Sequence, residues 1–321
     1  MKNRKLGILL LTVFLLGLLT ACGSGKEIRF GTAGTGGTYY AYGSALSSLL
    51  EDNLSGVKFD VKATAGSAAN LRLLSEDYLQ MAIAQADVIA DAAAGEGSFE
   101  GKALSGYGAV AGLYTEACQI VVRADSGIKR IEDLEGKRVS VGEEESGVMK
   151  NAEQILLVYG LTPELLEAEN LSYSDAAEAL ANGEIDAFFC TAGAPTNAVA
   201  NAARQTEVRL LGLDAEKQKR LLNTYDTYVP CVIPAGTYEG QTEAVETVGV
   251  RAVLLASNRL NAQQVHDITE QLFQDAGKLQ MATAADTPLT LEAAVENVPI
   301  GYHAGAAAYY GENDIQVGQE K

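Results

Sequence analysis

The chain has 321 residues, 42 of them acidic against 24 basic, for a net charge of −18, with 47% apolar residues, two histidines and no tryptophan. That length can bury a large core and makes two lobes the expectation, while the acidity argues against nucleic acid as a partner and against a basic patch on anionic lipid. His266 and His303 stand beside no convincing nucleophile or metal cluster in sequence, so no catalytic residue, metal or cofactor is expected and the chain is not read as an enzyme.

The chain opens with Lys2, Arg4 and Lys5, an apolar run from Leu6 to Leu19, and Leu-Thr-Ala-Cys22. A positive start, a short apolar stretch and small residues before a cleavage point are the parts of an export signal, and Leu-Thr-Ala-Cys fits the lipobox whose cysteine is lipidated. The apolar run falls short of the ~20 residues that a bilayer core requires. Residues 1–21 are therefore expected to be removed, Cys22 to carry lipid and residues 22–26 to form a tether. Cleavage takes three basic residues and no acidic one, leaving 300 residues with a net charge of −21. Cys118, Cys190 and Cys231 show no C-x-x-C or metal spacing and read as small buried hydrophobes, with a disulfide between two of them left open.

The stretch Gly31 to Gly43 is a glycine-rich turn between the apolar segment Ile28 to Phe30 and an amphipathic helix. Its glycines let backbone approach a small molecule closely. Thr38 is placed to cap the helix, whose face is Tyr39, Tyr42, Ala45, Leu46, Leu49 and Leu50. A helix starting there aims free N–H groups and the positive end of its dipole forward, which outlines an anion pocket. The turn lacks the Gly-Lys-Ser/Thr of a P-loop, and Tyr39 stands where G-x-G-x-x-G needs its third glycine.

Val57 to Ala63 alternates as a strand, and Ser67 is a second expected cap, before Ala68 to Leu74. Met81 to Asp87 reads as a buried strand whose polar end makes Gln85 a candidate contact, because ligands of open α/β sheets bind beyond strand carboxyl ends. Tyr107 to Leu113 and Gln119 to Arg123 read as two strands, with Tyr114 to Cys118 as a passage out of the first lobe. A strand ending at Gly142 leads through Glu143 to Glu145 into a helix starting near Ser146. The strand ending in Ala-Gly-Ala-Pro-Thr196 runs into a small-residue turn, with Pro195 placed to begin a helix. Two prolines make Tyr225 to Pro234 an edge strand or connector. Val248 to Ala256 is strand-like, and the longest helix is expected over about Ala262 to Leu279. Strands alternating with helices indicate a parallel-rich α/β architecture.

Gly-Thr-Ala-Gly-Thr-Gly-Gly-Thr-Tyr-Tyr40, Ala-Gly-Ser-Ala-Ala-Asn-Leu-Arg-Leu-Leu74, Ala-Gln-Ala-Asp87, Val-Val-Arg-Ala-Asp-Ser-Gly-Ile128, Ala-Gly-Ala-Pro-Thr196 and Thr-Val-Gly-Val250 together resemble the TAXI family of solute-binding receptors for TRAP transporters. The resemblance implies a type 2 periplasmic-binding-protein fold, with two α/β lobes joined by crossing strands and a ligand cleft between them: lobe I as residues 27–117 and 247–321, lobe II as 118–246. It implies a TRAP membrane permease driven by an ion gradient as partner, and a small organic acid or amino acid as cargo. The place would be the extracytoplasmic face of the cytoplasmic membrane, held by the lipid on Cys22. Expected contacts are Gly36, Gly37, Thr38, Tyr39, Ser67 and Gln85 from one lobe and Ser146, Gly147, Ala194 and Thr196 from the other. Arg72 and Arg123 are the candidate carboxylate partners by fork geometry. The acids Glu143 to Glu145 leave room for a ligand with an amino group. A receptor for an ABC importer of another small anion, and a sensory binding lipoprotein, are the alternatives on the same fold.

Overall fold

The computed structural model describes residues 27–283 and 288–320; the export signal and Cys22 lie outside the described residues. Short apolar segments that alternate with amphipathic ones give Ile28–Gly31 (β1), Thr38–Asn53 (α1), Phe59–Lys62 (β2), Ser67–Ser75 (α2), Met81–Gln85 (β3) and Ala86–Ala94 (α3). β1 lies parallel between β2 and β3, so these strands deliver their βα turns to the same edge of the sheet. Tyr107–Arg123 (β4) then leads into Arg138–Ser140 (β5), Gly147–Val158 (α4), Glu167–Glu169 (β6), Tyr173–Asn182 (α5) and Ala187–Ala192 (β7). Here β5 lies parallel between β6 and β7. The chain continues as Asn197–Gln205 (α6), Val208–Leu210 (β8), Ala215–Thr224 (α7), Val229–Ile233 (β9) and Val245–Ser257 (β10). It closes with Ala262–Gln274 (α8), Ala276–Thr283 (α9) and Ala304–Glu312 (α10).

The strands form one sheet in the order β2-β1-β3-β10-β4-β7-β5-β6, with β8 on β4 and β9 on β10. Two strands belong to both halves. Tyr114 on β4 and Ala252 on β10 pack into a core with Phe30, Leu46, Leu71, Ile83, Ile268 and Tyr310. A few residues along, Val250 joins Ile120, Val139, Ile155 and Phe189, and Ala117 joins Leu180, Phe188 and Val199. Burial of these separate apolar sets is the main force holding each half, and the paired β4 and β10 are what cross between them.

Four local expectations are corrected. Tyr114 to Cys118 is no break: β4 runs through it, because Thr115, Glu116 and Ala117 pair with Arg251, Val250 and Gly249 of β10. The expected long helix is interrupted at Asp275, whose carbonyl accepts from the Lys278 and Leu279 amides at 2.9 and 3.0 Å to start α9 anew; its short polar side chain is held by Gln271, Asn53 and Lys278 instead of by the helix. The caps of α1 and α2 are Gly37 and Gly66, one residue ahead of Thr38 and Ser67; Gly66 has φ +126, a conformation that suits glycine. Helix α6 starts at Asn197, two residues beyond Pro195. Elsewhere the pattern held: Ser146 accepts from the Met149 amide at 3.2 Å as the cap of α4, and Pro230 lies in β9, which pairs with β10 alone.

Candidate ligand cavity

The turns at the carboxyl ends of β1, β2 and β3 face those of β5 and β7, and a cavity of about 40 Å³ lies between them. That is a few times the roughly 10–15 Å³ that one water needs, so a closely fitted guest would be small. From the first half Gly37, Thr38, Tyr39, Ser67 and Gln85 line it, and from the second Ser146 and Gly147. Seven of the ten expected contacts are therefore brought together.

Each is held by local geometry. The Gly37 amide donates to the Gly34 carbonyl at 3.0 Å, closing the turn that starts α1. The Tyr39 hydroxyl, one helical step inside, donates to Glu116 Oε2 at 2.7 Å. Ser67 Oγ accepts from the Gln85 amide at 3.1 Å, which fixes the end of β3 against the start of α2. Gly147 lies so close to Gln85 Oε1 that a Cβ added there would overlap it. Tyr173 braces the far wall, its hydroxyl donating to the Thr191 carbonyl at 2.9 Å and accepting from the Thr191 amide at 3.1 Å.

The structure places the remaining candidates outside this lining. Gly36 turns its carbonyl to the Ala198 amide, 3.2 Å away, and does not line the cavity. Thr196 is buried beside it in a separate network: its hydroxyl donates to the Gly193 carbonyl at 2.7 Å and accepts from Gln119 Nε2 at 2.9 Å. Ala194 is likewise outside the lining. Arg72 points away along α2, pairing with Glu145 at 3.0 Å and lying over the Phe99 ring. Arg123 pairs with Asp125 at 3.2 Å. Neither cation reaches the cavity.

Helix starts divide into two uses. The N-termini of α1 and α4 line the cavity, where their first amides have no partner within the helix. The N-terminus of α2 is taken across the cleft: the Ala68 and Ala69 amides donate to the Glu145 carbonyl at 3.0 and 3.2 Å. Beside it Lys150 donates to the Asp87 carbonyl at 2.8 Å and pairs with Asp91 at 2.6 Å. Asn151 donates to Asp87 Oδ2 at 2.9 Å. Thr38 donates to the Gly193 carbonyl at 3.2 Å. Direct contacts thus join the two halves all round the cavity.

Glu116, like Tyr173 and Thr191, lines the cavity and was missed by sequence reasoning. It sits mid-strand on β4, is 2% exposed and lines the cavity. A lone carboxylate in the apolar run Tyr107 to Arg123 was the available signal. Burial holds its carboxyl well above the usual value of 4.5, with Asp87 adding to the rise and hydrogen bonds from Tyr39 and Gln85 opposing it. The folded state therefore keeps a proton that the unfolded chain releases, and this group's contribution to stability falls as pH rises above 4.5. Glu116→Gln is expected to match the parent below that pH and to melt increasingly above it towards neutrality. Each pKa unit of displacement is worth about 1.4 kcal/mol, or about 2–4 °C for a chain of this order of size. Calorimetric melting of both proteins from pH 4 to 8 checks this; a gap that is flat or closes with rising pH refutes it.

The NMT1-like family model matches residues 30–313. Among solved structures, the alkanesulfonate-binding protein SsuA from Xanthomonas axonopodis pv. citri, bound to MOPS, is 18% identical over 91% of this chain and 93% of that one, with a TM-score of 0.51. PhnD1 from Prochlorococcus marinus, in complex with methylphosphonate, is 11% identical over 92% and 93%, with a TM-score of 0.52. A ligand-binding component of an ABC-type import system from Staphylococcus aureus, with zinc bound, is 12% identical over 90% and 92%, with a TM-score of 0.50. At these identities the likeness is one of fold: the expected two-lobe periplasmic-binding-protein architecture of type 2 is the one observed.

Proposed function

The chain belongs to the NMT1-like family, and from that premise we propose that it is an extracytoplasmic solute-binding receptor. Its two lobes, residues 27–117 with 247–321 and residues 118–246, would close on a small organic acid or amino acid and present the closed form to a membrane importer. One observation carries this reading: a small cavity whose walls come from strand ends of both lobes. A guest touching both lobes stabilises the closed arrangement by its differential affinity, and hinge closure of this kind is what a membrane partner can recognise. Nothing in the lining resembles a catalytic centre. His266 is out on α8 beside Glu312, and His303 caps α10 by accepting from the Gly305 amide at 3.1 Å.

Two importers are supported by different observations. An ABC-type importer is favoured by the Staphylococcus aureus structure named above, and a TAXI-type TRAP permease by the Gly-Thr-Gly-Gly-Thr-Tyr-Tyr40 and Ala-Gly-Ala-Pro-Thr196 runs. We read the export signal and Cys22 as placing the receptor, by a lipid anchor, at the outer face of the cytoplasmic membrane. Uptake that stops when the ion gradient is collapsed with ATP intact assigns the TRAP permease, and the converse assigns the ABC importer.

The receptor reading is tested by thermal unfolding of the purified protein, stripped by denaturation and refolding, against amino acids, 2-oxo and hydroxy acids, dicarboxylates, sulfonates and phosphonates. A ligand at 100 times its dissociation constant adds about 2.7 kcal/mol and raises the midpoint by several degrees. A shift with one chemical class, the compound recovered unchanged, is the expected result. No shift anywhere in the panel overturns the reading.

A further inference from the structure

The cavity is asymmetric in charge. Among the described residues that line it there is no lysine, arginine or histidine, while two carboxylates, Glu116 and Glu143, face it. At one end Glu116 and Gln85 are each 2% exposed, and Gln85 Oε1 has no hydrogen-bond partner. The Gln85 side chain helps hold the Glu116 carboxyl down against the effect of burial, and its oxygen, set against Gly147, is left as an acceptor. A buried acceptor without a donor is costly and calls for one from a guest. Beside them are the N-termini of α1 and α4, the latter with Gly147 set directly against Gln85 Oε1, offering backbone N–H groups and no charged side chain that donates.

Resting on the receptor reading above, we infer that Glu116 and Gln85 form the ammonium subsite of a small zwitterion whose carboxylate lies at the N-termini of α1 and α4. The donor–acceptor pattern fits this arrangement group by group. An ammonium has three donors and no acceptor, matching an amide oxygen plus a carboxyl that releases its proton to solvent as the ammonium takes its place. A carboxylate needs donors only, which the two helix starts supply. A dicarboxylate, sulfonate or phosphonate would bring negative charge beside Glu143 with no cation to meet it, and would oppose ionisation of the buried Glu116 carboxyl still further, which disfavours it as a guest. Arg72 and Arg123, the side chains that would have reversed this preference, are engaged elsewhere. Glu116 is thereby a specificity-determining residue that distinguishes an amine from the hydroxyl or oxo group of an otherwise identical acid.

The test is calorimetric titration of the protein with matched pairs that differ at one atom: L-alanine and L-lactate, L-serine and L-glycerate, L-glutamate and both 2-oxoglutarate and L-2-hydroxyglutarate. Binding of one amino member at least about tenfold tighter than its deaminated twin is expected. Glu116→Gln should abolish most of that preference by weakening the amino member, and Gln85→Leu, which removes the acceptor at similar volume, should reduce it; the melting curve of each variant shows that it is folded. A deaminated acid, sulfonate or phosphonate that binds as tightly as any amino acid overturns the ammonium subsite and leaves the receptor reading standing. A preference that survives in both variants overturns the roles of Glu116 and Gln85. Failure of every compound here and in the wider panel overturns the receptor reading itself, and the subsite with it.

Discussion

Gly147→Ala is expected to cost at least about tenfold in ligand affinity, about 1.4 kcal/mol, while the chain stays folded. Gly147 is the first residue of α4 and its φ is not in the left-handed region, so alanine suits the backbone and improves helix propensity by up to roughly 1 kcal/mol. The obstacle lies across the cleft. The new Cβ would overlap Gln85 Oε1 and crowd its Cδ and Nε2. Gln85 is buried at the end of β3 with its amide bonded to Ser67, so its side chain has little room to yield, and overpacking of this kind costs about 1–3 kcal/mol. The strain exists only when the lobes meet, so it opposes closure and leaves each lobe's core untouched. X-ray scattering with and without ligand reads the compactness directly, and titration reads the affinity. Pairing Gly147→Ala with Gln85→Ala should restore compactness, a coupling that a double-mutant cycle measures. If Gly147→Ala alone binds and compacts like the parent, the two lobes do not close through this contact.

Much of this cavity is legible in the sequence because strand ends and helix starts are local features. Gly37, Thr38, Tyr39, Ser67, Gln85, Ser146 and Gly147 were each marked by a polar or glycine turn after an apolar strand, and all of them line the space. What local pattern does not encode is the facing of one lobe to the other. Gly36 and Thr196 belong to turns of the right kind, yet the first meets the Ala198 amide and the second joins Gln119 and Tyr238. The same blindness misdirects Arg72, because spacing along α2 does not reveal that Glu145 will come to it from the other lobe. Glu116 was missed for a different reason. Strand periodicity treats β4 as two pieces, and only the long-range pairing with β10 shows that the carboxylate sits in mid-strand at the crossing. Helix starts moved by one or two residues, as at Gly66, whose φ of +126 suits glycine, and the long helix broke at Asp275, where side-chain chemistry competes with the helix.

The second large effect is expected at Lys150. Its ammonium bridges the Asp87 carbonyl and the Asp91 carboxylate, and lies 3.8 Å from Asp87 Oδ2. Asp87 is 2% exposed whereas Lys150 keeps about a fifth of its side chain in water. Removing the cation leaves a buried carboxylate facing Asn151, the Val88 amide and the neighbouring Asp91. Breaking a fully buried pair costs about 3–5 kcal/mol; the partial exposure of Lys150 lowers that, so Lys150→Met should weaken ligand binding by something nearer tenfold than a thousandfold at neutral pH. Arg72→Ala is the contrast. Its pair with Glu145 is one-third to one-half exposed, and such bridges contribute about 0–1 kcal/mol, so its effect should be several times smaller and should fade in salt.

The sign of the pH dependence separates this from a generic loss of packing. Burial already raises the Asp87 carboxyl above 3.8, and Lys150 opposes that rise. Without Lys150 the closed form holds a proton that the opened, solvated Asp87 gives up, so the closed form weakens as pH rises above 3.8 and recovers as pH falls. Titrations of Lys150→Met against the parent from pH 4 to 8 should show the affinity gap widening with pH. A gap that stays constant would mean that Lys150 acts through its methylene packing, and that the charge at Asp87 does not control how the lobes meet.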